Sequence, residues 1–251
     1  MKTCSSLLAA LFALCIVVNS RQPVAAAAYS GPDLDGFSKA QIEELRDAVQ
    51  KDTSKLLPVF KDAVRQAVSA GLAKDSKEAD VKAKLEAVAR AEADIALVYS
   101  AAVKKLVVLT TNQQARIQHD GQSMYGYIFG VQTGFTLFQL FGTGFTNLTR
   151  AQKVALDRAN ITEENALSGT IFSARGELVR TWFTPGAKPG DIRVKLDALS
   201  QCETQYALFC WKTVTQAFPL TATQAAIEAR QNPTTTYGDL FGMEIRFSWQ
   251  P

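Results

Sequence analysis

The sequence predicts an all-α protein that contains two copies of one long helical hairpin. Short motifs typical of helix starts recur at a constant spacing, and apolar residues between them return every three or four positions. Proline and glycine are grouped between these segments, where helices would end. The chain has 251 residues, 47% of them hydrophobic and 20% charged, a balance typical of globular proteins. We therefore expect a helical globular fold made of two repeats.

Residues 1–28 have the features of a secretory signal peptide. Lys2 provides a basic start, and residues 7–18 form an apolar run that is shorter than the roughly 20 residues needed to span a bilayer. Small residues at Ala25–Ala28 then offer cleavage sites. We expect this segment to be removed during export, and the alternative is an uncleaved membrane anchor.

Four motifs along the chain consist of an apolar residue, a Ser or Thr, and a Gln three positions after the hydroxyl residue. They are FSKAQ, LTTNQ, LTRAQ and LTATQ, with key residues Phe37, Ser38 and Gln41; Leu109, Thr110 and Gln113; Leu148, Thr149 and Gln152; and Leu220, Thr221 and Gln224. The interval from the first glutamine to the second equals the interval from the third to the fourth, so the halves are related by a constant offset of 111. This constant spacing indicates an internal duplication.

Each half ends in an aromatic segment that contains glycine. YGYIFGV at 125–131 and YGDLFGM at 237–243 match at an offset of 112, which implies one inserted residue in the second half. We therefore predict a first repeat at 29–137, a linker at 138–147 and a second repeat at 148–251.

The Ser/Thr-x-x-Gln pattern has a physical explanation as a helix start. In a capping box, the hydroxyl accepts a hydrogen bond from the backbone N–H three residues later. The Gln side chain in turn accepts one from the backbone N–H of the Ser or Thr. We therefore assign the four motifs a structural role in helix capping.

The spacing of apolar residues, together with the prolines and glycines between the segments, predicts the helices in order. In the first half we expect a helix at 39–70 that is kinked at Pro58 and ended by Gly71, a second at 78–107, and a third from Thr110. In the second half we expect helices at 149–182 and 191–218 around a turn at 184–190, and a last one from Thr221. Both halves therefore read as long antiparallel hairpins followed by a shorter helix.

The aromatic residues of the two end segments are a candidate interaction surface: Tyr125, Tyr127, Phe129, Phe135, Tyr237, Phe241 and Phe247. Apolar and polar residues alternate from Met243 onwards, which favours a strand. We expect the two end segments to pair or to cover the hairpins with their rings buried. The alternative is an exposed surface that binds other proteins.

Membrane insertion of these end segments is not expected. Residues 121–149 carry no charge, but the equivalent second segment contains Asp239, Glu244 and Arg246. Because charged side chains are costly in hydrocarbon, equivalent positions are unsuited to lipid.

Two cysteines, Cys202 and Cys210, remain once the signal peptide is removed. They are eight positions apart in an expected helix, about 12 Å along its axis, which is too far for a disulfide within one helix. We interpret them as small buried residues, with an intermolecular bridge or an oxidation-sensitive pair as the alternatives.

Charge and composition argue against several classes of function. The formal net charge is +3, from 27 basic and 24 acidic residues, so nucleic acid is not an expected partner. The single histidine, His119, leaves no multi-histidine metal site and no Ser/His/Asp arrangement. We predict no catalytic residues, no metal site and no cofactor.

The export signal, the long hairpin and the paired LTxxQ motifs together resemble the Spy/CpxP family of bacterial periplasmic proteins, over about residues 37–118 and 148–230. The resemblance implies a periplasmic location and thin helical hairpins that pair, here as a pseudo-dimer within one chain. It also implies an ATP-independent chaperone that binds unfolded envelope proteins. The alternative is an envelope-stress regulator or metal-responsive sensor that binds a specific membrane partner. The chain departs from the family in its two units and its aromatic ends.

Overall fold

Long antiparallel helices make up most of the described part of the chain. The computed structural model describes residues 37–135, 149–151, 161–217 and 220–248, all within one compact unit. The expected signal peptide, the linker at 138–147, and Leu148 and Gln152 of the third motif lie outside the described residues. For the described part, the expected helical fold with long antiparallel packing is confirmed.

The described first half contains four helices and one strand. Helix α1 spans Lys39–Leu72, α2 spans Glu78–Leu106, α3 spans Thr111–His119, α4 spans Tyr125–Phe129, and strand β1 spans Val131–Phe135. A 3-10 turn at Gly121–Met124 connects α3 to α4.

The end of α1 differs from the expectation that Gly71 would terminate it. The helix continues to Leu72, so Gly71 is its penultimate residue. A Cβ atom at Gly71 would lie 2.9 Å from Phe241 Cζ and 3.5 Å from Trp211 Cδ1. The glycine is therefore explained by close packing against the second half rather than by helix termination.

The second half repeats this order of elements. Helix α5 spans Ile161–Phe183, α6 spans Pro189–Lys212, α7 spans Ala222–Glu228, α8 spans Pro233–Phe241, and strand β2 spans Met243–Phe247. Helix α6 runs into a π-helical turn at Thr213–Ala217. A turn at Thr184–Lys188 separates α5 from α6, close to the predicted position.

The element ends of the two halves match at the offsets found in the motifs. Helices α1 and α5 end at Leu72 and Phe183, which are equivalent positions at the offset of 111. Strands β1 and β2 begin at Val131 and Met243, which are equivalent at the offset of 112. Helices α4 and α8 both end at a glycine in the left-handed conformation, Gly130 with φ 70° and Gly242 with φ 68°. The chain therefore enters the strand through the same turn in each half.

The two strands pair with each other in an antiparallel sheet. The register places Val131 opposite Phe247, Thr133 opposite Ile245, and Phe135 opposite Met243. Thr133 and Ile245 are equivalent positions at the offset of 112, so the sheet is centred on equivalent residues. The expected pairing of the two end segments is confirmed, and both of them form strands.

Helices from both halves enclose one hydrophobic core. Helices α2 and α6 pack against each other, and each also packs against the preceding helix of its own hairpin. The end segments contact both halves: α8 packs on α1 and α6, the 3-10 turn packs on α5, and α4 packs on α2 and α5. Among the described helices, none combines the length and apolar character needed to cross a membrane.

Candidate functional site

The hydroxyl–glutamine motifs form reciprocal caps at three helix starts. The backbone N–H groups of Ser38, Thr110 and Thr221 donate to the side-chain oxygens of Gln41, Gln113 and Gln224 over 2.8, 2.8 and 2.9 Å. The return bonds, from glutamine N–H to hydroxyl, measure 3.3, 3.2 and 3.2 Å. These residues are committed to helix ends. Of the three key residues of the third motif, only Thr149 is described, and it is exposed.

Most of the candidate aromatic side chains lie in the core. Tyr125, Phe129, Tyr237, Phe241 and Phe247 are buried, and Tyr127 and Phe135 are partly buried. Their contacts cross between the halves: Phe247 meets Phe60 of α1 edge-on with 5.0 Å between ring centroids. Phe135 meets Tyr206 of α6 at 5.0 Å and Phe172 of α5 at 5.2 Å. Exposed groups that could bind another molecule therefore lie elsewhere.

Two tryptophans make reciprocal hydrogen bonds across the halves. Trp182 Nε1 donates to the carbonyl oxygen of Ser100 over 3.2 Å, and Trp211 Nε1 donates to that of Gly71 over 3.1 Å. Gly71 and Trp182 are equivalent positions, as are Ser100 and Trp211, at the offset of 111. The two bonds are thus one contact made twice, as expected for a two-fold relation between the halves.

Helices α2 and α6 run antiparallel along the centre of this two-fold arrangement. Ser200 Oγ donates to the carbonyl oxygen of Ala89 over 3.3 Å, and these residues are equivalent at the offset of 111. Cross-helix ion pairs flank this contact: Lys212 Nζ lies 2.7 Å from Glu78 Oε1, and Arg193 Nη1 lies 2.5 Å from Asp94 Oδ1. The centre of the interface therefore lies at Ala89 and Ser200.

Two buried carboxyls lie one helical turn from this centre, on opposite sides of it. Glu92 on α2 and Glu203 on α6 are equivalent positions, each about 4% exposed. Arg175 Nη2 of α5 donates to Glu203 Oε1 over 2.9 Å, and its guanidinium lies 4.9 Å from the centroid of the Tyr125 ring. Oxygen Oε1 of Glu92 has no hydrogen-bond partner. We call these four residues, together with Tyr237, the axial cluster.

Burial sets the protonation of the axial cluster. Loss of solvation raises the pKa of Glu92 well above its usual value, and the neighbouring Glu203 raises it further, against the opposing effect of Arg175. Loss of solvation also raises the pKa of Glu203, although Arg175 opposes this through charge and hydrogen bonding. Burial and the two glutamates raise the pKa of Tyr125 and of Tyr237, so both phenols stay neutral. Sequence reasoning missed this cluster because Glu92 and Glu203 each lie on a helix that also carries exposed charges.

A second pair of buried acids lies where α7 meets α8. Burial and the neighbouring Asp239 raise the pKa of Glu228 to about 7, and burial raises the pKa of Asp239 to about 6. Oxygen Oε2 of Glu228 and Oδ2 of Asp239 both lack hydrogen-bond partners. The pair was also missed, because its members lie on different helices and are not close in the sequence.

An open groove lies between the end of α2 and the α5–α6 turn, with one wall from each half. Its volume is about 320 Å³, and it is lined by Lys104, Val107, Leu109, Gln114, Trp182, Phe183, Thr184, Pro185 and Gly186. The lining contains one basic residue, Lys104, and no acidic residue. We call this feature the interhalf groove; its apolar lining and the cation at its edge suit an apolar ligand that carries negative charge.

The remaining candidate ligands and nucleophiles do not converge. Cys202 is partly buried and Cys210 is buried, and both are free thiols, in agreement with the expected absence of a disulfide within the helix. Burial raises the pKa of the Cys210 thiol, which keeps it in the unreactive protonated form. Within the described ranges, no three His, Cys, Asp or Glu side chains are grouped as metal ligands.

Comparison with protein-family models, with curated proteins and with solved structures finds no match to this chain.

Proposed function

We propose that this protein is an exported, ATP-independent chaperone-like protein that holds unfolded polypeptides in the interhalf groove. In this proposal it is a periplasmic relative of the LTxxQ proteins in which two hairpin units are fused and paired as a pseudo-dimer. The matching element ends, the three capping boxes and the reciprocal tryptophan contacts support the pairing. No match to a known family contributes to the proposal, which depends on the motifs and the geometry.

The interhalf groove is the observation that carries the functional part. Val107, Leu109 and Phe183 offer apolar contact in an open channel, and Lys104 is an exposed cation at its edge. Val108, beside this lining, is 86% exposed. Because exposed apolar groups at basic sites favour chains that combine apolar and acidic residues, we expect weak binding of unfolded segments of that composition.

Aggregation of a chemically unfolded, unrelated client tests the proposal. The mature chain, without nucleotide, should suppress light scattering at a few-fold molar excess over the client. Val107→Asp should abolish suppression and Lys104→Glu should weaken it several-fold. Val59→Asp and Lys61→Glu are matched controls on exposed positions of α1, and both should leave it unchanged.

Equal suppression by Val107→Asp and by the mature chain would show that the groove is not the binding site. If the mature chain did not bind unfolded clients but bound one peptide sequence tightly, it would instead act as a dedicated regulator. That outcome would replace the chaperone proposal.

A further inference from the structure

The interface between the halves buries more acid than base. Both carboxyls of the axial cluster, Glu92 and Glu203, are buried, and Arg175 is the one basic side chain of the described residues that acts on either of them. The two-fold relation does not supply a second cation, since the position equivalent to Arg175 is Val64, which is buried and apolar. If both carboxyls were ionised, the cluster would carry an uncompensated negative charge.

Solvent cannot compensate for that charge. The cavity beside the two carboxyls measures about 10 Å³, and its other lining residues include Leu85, Val88, Met243 and Tyr237. This volume holds about one water molecule. An unpaired carboxylate in so dry a site is strongly unfavourable, and such a group normally takes up a proton instead.

The groups that face Glu92 agree with a neutral carboxyl at that position. Its Oε1 has no donor, whereas Glu203 already accepts the bond from Arg175. The side chains of Tyr125 from α4 and Tyr237 from α8 act on the pair from the two end segments, and both are neutral phenols. The stable arrangement is therefore one ion pair, Arg175 with Glu203, beside one protonated acid.

We propose that Glu92 and Glu203 hold one proton between them at neutral pH and that the pairing of the two halves depends on this proton. Removal of the proton leaves an unpaired carboxylate in the interface, and α2 and α6 separate locally to admit water. The axial cluster thus makes the pairing of the halves sensitive to alkaline pH, independently of what the interhalf groove binds.

The direction of the pH effect follows from linkage. The folded chain binds this proton more tightly than the unfolded chain, so its contribution to stability is complete below the ordinary glutamate pKa and decreases as the pH rises towards the raised value. One linked proton changes the folding equilibrium constant about tenfold per pH unit over that interval.

Glu92→Gln in the mature chain tests the proposal, because glutamine has the shape of the protonated acid. Denaturant unfolding should give folding constants within about threefold of each other for variant and parent at pH 5. At pH 9 the variant should have a folding constant at least tenfold larger than the parent. Glu86→Gln, an exposed glutamate on the same helix, is the control and should follow the parent at every pH.

Tryptophan emission reports on the interface itself, because Trp182 and Trp211 both bond across it. In a Trp249→Phe background, the parent should show a red shift of emission between pH 6 and pH 9, and Glu92→Gln should remove the shift. Parallel pH profiles for the parent and Glu92→Gln would overturn the proposal. The proposal would also be overturned if sodium chloride, but not choline chloride, restored the stability of the parent at pH 9. A metal cation would then occupy the place of the proton.

Discussion

Two tryptophan side chains make matching contacts between the halves, although the residues at their equivalent positions are not tryptophans. Trp182 and Trp211 use an indole N–H to satisfy a buried carbonyl of the opposite half, while their equivalents, Gly71 and Ser100, offer those carbonyls. The axial cluster breaks the same relation, because Arg175 is matched by Val64. The two halves thus match in where they place the backbone, and they differ in the buried charge that each contributes.

Replacing either tryptophan should have a similar cost. Trp182→Phe and Trp211→Phe each keep an aromatic ring but leave a buried carbonyl without its donor, which should lower the free energy of unfolding by about 1–3 kcal/mol. Urea unfolding of the two variants measures this. If one variant kept the free energy of unfolding of the parent while the other lost about 1 kcal/mol or more, the two contacts would not be energetically equivalent.

At the scale of elements, the capping boxes determine where three of the described helices begin. The three described boxes occur where the chain turns into α1, α3 and α7. Helices α3 and α7 are short, with nine and seven residues, so few intrahelical bonds support them. Their stability therefore depends on the caps and on packing.

Loss of a cap should be measurable at these short helices. Thr110→Ala and Thr221→Ala remove the acceptor for the N–H of Gln113 and Gln224, and each should cost roughly 0.5–2 kcal/mol of stability. Thr111→Ala, at an exposed neighbouring position, is the control and should be nearly neutral. We expect client suppression per folded molecule to be unchanged in both cap variants. Normal stability with lost suppression would instead make the motifs a binding site.

The junction of α7 and α8 should loosen as the pH rises through neutrality. Glu228 and Asp239 have pKa values raised to about 7 and about 6, so the folded form binds their protons more tightly than the unfolded chain. Stability from this pair is complete below about pH 4 and is lost as the pH approaches 7. Between pH 5 and pH 8, Glu228→Gln should lose less free energy of unfolding than the parent, by on the order of 2 kcal/mol. Thermal unfolding at the two pH values measures this difference. An unchanged pH profile in this variant would show that Glu228 stays solvated.

At the scale of the whole molecule, the described residues of both halves share one hydrophobic core. The end segment of each half packs on the hairpin of the other half and also on its own hairpin. Among the described residues, the large hydrophobic side chains that stay exposed are Val59, Val108, Val194 and Ile227. Most large apolar side chains of the described residues are therefore buried, which restricts the surface left for binding partners.

Cutting the chain between the halves should leave them associated. A protease site placed within residues 138–147 and then cleaved should give two fragments that elute together in size-exclusion chromatography at the volume of the uncut chain. The physical reason is that an isologous interface does not need a covalent linker once it is formed. Fragments that separate and each remain folded would refute the pseudo-dimer. The mature chain with the same site left uncut is the control.

Local signals in the sequence predicted the starts of α1, α3 and α7, the breaks between helices and the internal duplication, but not the short helices α4 and α8. A capping box involves residues three positions apart, and periodicity reports which face of one helix is apolar, so both are readable without knowing the partners. The constant offset between the four motifs predicted which elements of the two halves correspond. The sequence left two arrangements open for the end segments, pairing with each other or covering the hairpins, and the structure contains both.

Tertiary structure alone decided which residues meet across the halves. Glu92, Arg175 and Glu203 come together from three helices, and sequence position does not distinguish Glu92 from exposed acids such as Glu86. Gly71 has the same local features as a helix terminator, yet its role depends on Phe241 and Trp211. The physical reason is common to both cases: desolvation and close packing are properties of the surroundings, which only the folded pair of hairpins supplies.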